Sequence, residues 1–103
     1  MTSGRLGAVD LSATTNTTVY TVPAAKTAAF SVNICNRNAS SITIRLALAA
    51  TGTPDVAEWI EYDTPLGGNC VLERSGLMLD TGKLLVAYSS AANVSVIAYG
   101  VEE

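Results

Sequence analysis

Residues 30–49, FSVNICNRNASSITIRLALA, constrain the chain most. Phe30, Val32 and Ile34 alternate with Ser31, Asn33 and Cys35, and Ile42, Ile44, Leu46 and Leu48 then alternate with Thr43, Arg45, Ala47 and Ala49. A period of two places apolar side chains on one face of an extended segment. Two such runs joined by the turn-rich NRNAS stretch predict an antiparallel hairpin with one apolar face.

The rest of the chain keeps this character. TTVYTV is rich in β-branched and aromatic residues and stops at Pro23, which offers no ladder donor and presets the first corner of a turn in VPAAK. GAVDLS, residues 7–12, predicts a short edge strand behind an arm over residues 1–7. Thr53, Pro54 and Asp55 read as N-cap, first-turn proline and first-turn acid of one helical turn over Asp55–Glu58. Trp59–Tyr62 reads as extended, with Trp59 and Glu61 on one side and Ile60 and Tyr62 on the other. CVLER and GLML form short extended pieces, Asp80–Lys83 a tight turn, and LLVAYSS and residues 93–101 the closing strands. Both of those strands carry apolar residues on two faces, which predicts cover on both sides, and the terminal VEE reads as a tail.

About eight short strands with turns every 8–12 residues, and no amphipathic helix of useful length, predict an all-β fold: one antiparallel β-sandwich spanning residues 1–103, in jelly-roll or Greek-key order. A chain of 103 residues holds one core.

Composition narrows function by exclusion. Apolar residues make up 49% of the chain and charged residues 15%, with a net charge of -3. The thinly charged surface suits burial against neighbours. The cations Arg5, Lys26, Arg37, Arg45, Arg74 and Lys83 are scattered, so no basic run matches a row of phosphates. No apolar window approaches a membrane span, and MTSGRLGAVDLSA lacks a signal-peptide pattern, so synthesis in a cytoplasm is expected. Cys35 and Cys70 lack CxxC spacing and are expected as free thiols in that reducing setting. Asn16, Asn38 and Asn93 match the glycosylation pattern but read as turn and strand residues.

The chain has no histidine, so Ser–His and Cys–His nucleophiles and histidine-containing zinc sites cannot be built. Glu58, Glu61 and Asp63 gather around Trp59. They read as a solvated strand edge paired with Arg45 or Arg74, with a sugar platform or a calcium site as the alternatives weighed against that. Gly67-Gly68 lacks the surroundings of a phosphate cradle and reads as a turn. No catalytic residue, cofactor or metal is expected. The interface candidates are Arg37, Asn38, Trp59, Glu61, Tyr62 and Asp63, from the NRNAS loop and the 54–64 segment, together with the N-terminal arm.

Four stretches, VYTVPAAKTAAFSVNICNRN, WIEYDTPL, VLERSGLMLDTGK and NVSVIAYGVEE, together resemble small virion structural proteins of tailed bacteriophages, especially phages of cyanobacteria and other aquatic hosts. The resemblance implies a non-enzymatic virion part made in the host cytoplasm. Its leading form is a capsid decoration or cement protein sitting as a symmetric homotrimer on the major capsid protein. The alternative is a neck, tail or fibre module that anchors an adhesin or binds a host glycan. Such proteins often carry glycine where this chain has Ala25, and a small residue where Cys70 stands. Alanine costs nothing there if φ is negative; a positive φ strains it and counts against the correspondence at that turn.

Overall fold

A computed structural model describes residues 2–103. Eight strands follow one another: β1 (Thr2–Leu11), β2 (Thr17–Thr21), β3 (Ala28–Asn36), β4 (Ile42–Ala49), β5 (Trp59–Leu66), β6 (Val71–Leu79), β7 (Leu84–Ser89) and β8 (Val94–Glu102). They build two four-stranded antiparallel sheets, β1-β8-β3-β6 (sheet A) and β2-β7-β4-β5 (sheet B). The all-β sandwich expected from the alternation is therefore present. Of the two strand orders left open, this one is the jelly roll, in which the chain crosses between sheets at every connection except β4–β5.

The core lies where the two sheets face each other. Phe30, Val32 and Ile34 from β3 meet Ile42, Ile44 and Leu46 from β4, joined by Leu85, Ala87, Val94, Val96 and Ala98, all buried. These are the inward positions of the alternating pattern, so periodicity identified the core.

It did not identify the pairing. β3 and β4 are not a hairpin: β3 pairs with β6 and β8, while β4 pairs with β5 and β7. The NRNAS stretch is an arch from one sheet to the other. Two strands that each bury one apolar face satisfy that burial equally well by lying across the core from one another, each flanked in its own sheet, β3 by β8 and β6 and β4 by β7 and β5.

Other expectations shift in detail. Residues 2–7, expected as an arm, belong to β1, whose ladder with β8 runs from Thr2 opposite Glu102. VEE is not a tail, because Glu103 and Thr27 exchange backbone hydrogen bonds of 2.7 and 2.8 Å. The Tyr20 hydroxyl also donates to Glu102 Oε1 at 2.6 Å. CVLER and GLML merge into the one strand β6. The helical turn is a 3₁₀ turn over Val56–Glu58 with Asp55, not Thr53, at its N-cap. Glu58 holds it by accepting from the Asp55 and Ala50 amides at 2.8 and 3.0 Å.

Strand β7 is covered on both faces as expected, with Leu85, Val86 and Ala87 all at 0% exposure. Strand β8 is not. Val94, Val96 and Ala98 are buried, but Ile97 on the opposite face is 39% exposed.

In the VPAAK turn Lys26 donates to the Pro23 carbonyl at 3.2 Å, so Pro23 precedes the corner instead of forming it. Ala25 has φ 61°, the strained alternative, which counts against the resemblance at this position. An alanine in the left-handed region costs about 1–2 kcal/mol, and glycine avoids this at some entropic expense. Ala25→Gly is expected to raise stability by about 0.5–1 kcal/mol, read from the urea midpoint.

All four edge strands are kinked, and the four inner strands are not. Relative to their partners, β1 carries an extra residue between Arg5 and Gly7, β2 between Thr18 and Tyr20, β6 at Ser75–Gly76, and β5 both at Ile60 and at Tyr62–Asp63. A bulge bends an edge and interrupts its row of free backbone groups, which discourages strand addition. Pro65 lies on one of these edges as well.

Candidate functional site

The six residues singled out from sequence fall in two separate places. Trp59, Glu61, Tyr62 and Asp63 lie on β5. Arg37 and Asn38 lie in the arch after β3, at the opposite end of the sandwich.

On β5 the bulge overturns simple alternation. Ala47 faces Trp59, Leu46 faces Glu61 and Ile44 faces Thr64, so Ile60 is extra between Trp59 and Glu61, and Tyr62 and Asp63 together stand opposite Arg45, with Asp63 at φ 51°. Trp59 and Tyr62 consequently share a side, with ring centroids 5.6 Å apart in an edge-to-face contact. The Arg45 guanidinium is sandwiched between Tyr62 and Tyr88, 4.2 and 4.3 Å from their centroids. Asp63 Oδ1 and Oδ2 accept from Arg45 Nε and Nη2 at 2.6 and 3.3 Å. The Asp63 hydrogen bonds hold the guanidinium pKa above its ordinary value. Beneath this layer Ala47, Ala49 and Val86 form a second small core with Trp59 and Leu84. This layer covers Ala47, Ala49 and Val86, while Tyr62 itself stays 57% exposed.

The acids around Trp59 are all engaged. Asp63 binds Arg45; Glu61 accepts from Thr64 at 2.7 Å and from Arg74 on β6, tying the β5 and β6 edges together; Glu58 holds its loop. This is the pairing with Arg45 and Arg74 that the sequence favoured. What remains open is a cavity of about 450 Å³ lined by Val56, Trp59 and Tyr62, with Val56 93% exposed.

At the other end, Arg37 pairs with Asp10, and Asn38 donates through Nδ2 to the Ala92 carbonyl at 2.8 Å and to Asn36 Oδ1 at 3.1 Å. Asn36 is the residue that sequence reasoning missed. It is fully buried, and its Nδ2 donates to the carbonyls of Ser40, Leu66 and Gly67 at 3.0, 3.2 and 3.0 Å. Its Oδ1 accepts from the Asn38 amide at 2.9 Å. The available signal was parity: Asn36 continues the inward series Phe30, Val32, Ile34, and a polar side chain at an inward position needs partners. Gly68 lets the neighbouring loop come close, since a Cβ there would lie 2.5 Å from the Ala39 carbonyl carbon.

The outer face of sheet A has no such cover. Strand registers place Ala8, Ile97, Asn33 and Glu73 in one row across it, and Val101, Ala29 and Met78 in another. Met78 is 71% exposed and Val71, beside Cys35, 54%. A shallow depression of about 360 Å³ lies among Ala29, Ser31, Gly76, Met78 and Tyr99. Tyr99 donates its hydroxyl to Glu73 Oε2, which pushes the phenol pKa up. Cys35 and Cys70 are free thiols, as expected.

Little chemistry is available in these places. Among the described residues no three His, Cys, Asp or Glu side chains group as a metal set, and no buried side-chain polar atom lacks a partner. No helix among them is long and apolar enough to cross a membrane. Compared with protein-family models, curated proteins and solved structures, the chain matches none.

Tyr20 supplies a pH test. Burial, and then the Glu102 hydrogen bond, raise its pKa above the ordinary 10.0. A phenol raised on folding contributes stability that is complete below the unfolded pKa and is lost as pH rises beyond it. The urea midpoint is expected to fall above about pH 10, and less steeply in Tyr20→Phe.

Proposed function

We propose that this protein is a non-enzymatic structural module of a bacteriophage virion, working as a capsid decoration protein that associates with its own copies and docks on the head shell. The observation that carries the reading is the open, weakly charged outer face of sheet A, set against a molecule whose buried polar groups are paired throughout the described residues. A surface of this kind has little to offer a reaction and much to offer a neighbour. The resemblance of the four sequence stretches supports a virion part, and the jelly roll supports it at the level of fold analogy, being a fold of viral capsid proteins as well as of lectins.

Decoration works by summed contacts. One interface of about 800 Å² per partner gives moderate affinity, and several engaged together raise avidity by about 10²–10⁴.

The Val56–Trp59–Tyr62 cavity favours a second reading, a neck, tail or fibre module whose aromatic rings take the face of a host glycan. Quantitative mass spectrometry of purified virions separates the two. Hundreds of copies per particle are expected for decoration and tens or fewer for a neck or fibre part; absence from virions overturns both.

A further inference from the structure

Sheet A carries a feature that the structural reading does not by itself require. Its outer face spans four strands of about nine residues, roughly 30 by 19 Å at the usual rise and spacing. In projection that is about 570 Å², below the roughly 800 Å² per partner of a standard interface, which suits a weak dimer. Ala8, Ala29, Ser31 and Ser95 keep it low, with Met78, Ile97 and Val71 standing above it.

Its charges are arranged in opposition. Arg5 on β1 projects from the same face, opposite Tyr99, and has no ion-pair partner among the described residues. Glu73 lies exposed on β6, at the far edge, with Oε2 taken by Tyr99. Asp10 is neutralised by Arg37. The face is therefore balanced while the whole chain carries -3. Elsewhere the edges are bulged, and the apolar residues left exposed on the sheet B side, Val56 and Tyr62, form a separate, smaller patch that stays free for another partner.

From this we infer that the occupant of the sheet A face is a second copy of the chain, packed sheet to sheet about a two-fold axis parallel to the strands. That axis lays the β1 edge of each copy over the β6 edge of the other. Ala8 of each copy then lies over Glu73 of the other. Arg5, two residues along in the Tyr99 row, reaches the Glu73 carboxylate, which leans towards that row through its bond to Tyr99. Symmetry makes this contact twice. Aligned packing of two twisted sheets about 10 Å apart is the ordinary way such faces are buried. The order of the oligomer it gives is two. The inference rests on the proposal that the protein self-associates, and it names the surface.

Sedimentation velocity on the purified chain tests it. A dimer is expected at about 100 µM protein. Met78→Glu combined with Ile97→Glu should weaken pairing at least ~100-fold by placing charges in the buried centre, with the melting transition retained because both side chains are exposed. Val56→Glu, on the other sheet, should pair as the parent does. Arg5→Glu should weaken pairing about tenfold or more, and adding Glu73→Arg should restore it. A parent chain that stays monomeric, a Met78/Ile97 variant that pairs unchanged, or a charge swap without rescue overturns the inference. Virion content is measured separately: a monomer found in virions defeats this surface alone, and a dimer absent from virions defeats the functional reading alone.

Discussion

Replacing Asn36 by leucine should destabilise the protein by about 4 kcal/mol, measured from urea unfolding at neutral pH. The side chain is fully buried and serves three carbonyls and one amide from two separate loops. Leucine matches its bulk but leaves the buried Leu66 carbonyl and the half-buried Ser40, Gly67 and Asn38 groups without their partner, and each orphaned group costs about 1–3 kcal/mol. Asn36→Asp should be no milder, because a carboxylate would face the Ser40, Leu66 and Gly67 carbonyls with no hydrogen to give. Its deficit should shrink on acidification, when the protonated acid regains one donor. A loss below about 1 kcal/mol in Asn36→Leu would show that the arch is not held from this point.

Gly7→Val is the second large effect, expected at about 3 kcal/mol. At Gly7 β1 of sheet A passes against β2 of sheet B, and a Cβ there would sit on the Val19 carbonyl oxygen and 3.3 Å from its carbon. The obstacle is backbone rather than a pliable side chain, so one strand must move away. The cost is that of overpacking, typically about 1–3 kcal/mol, at the upper end here because a branched residue is added. Separation at this side should also speed amide exchange of β1 and β2 relative to β3 and β4, which hydrogen exchange would read residue by residue.

These two sites show how far the sequence could be read. Alternation placed Phe30, Val32, Ile34, Ile42, Ile44 and Leu46 in the core, because inward parity is a local property of a strand. It could not say that β3 and β4 face each other across the core instead of pairing, since a five-residue polar loop serves a hairpin and an arch equally. Nor could it see that Trp59 and Tyr62 share a side: Ile60 is an extra residue between Trp59 and Glu61, and nothing in its identity announces the bulge. The acids of the 58–63 segment were legible as partners of Arg45 and Arg74 because opposite charges are scarce in this chain and have few alternatives. The exposed flank of β8 was not legible, because VSVIAYGV is apolar on both sides whether its outer face is covered by this chain or by a neighbour.

That last ambiguity is also the most informative. Ile97 and Val101 read as core residues by composition, yet the fold leaves their face uncovered, and a second copy would cover them. The four bulged edges discourage strand addition, and the Val56–Trp59–Tyr62 cavity beside sheet B is left for a different partner.

Methyl NMR on Ile-, Val- and Met-labelled protein, followed as concentration is raised from monomer to dimer, tests this most directly. The account predicts that the Met78, Val71 and Ile97 methyl signals shift together while Val56 and Val86 stay fixed. Movement confined to Val56, with the sheet A methyls unchanged, would contradict it.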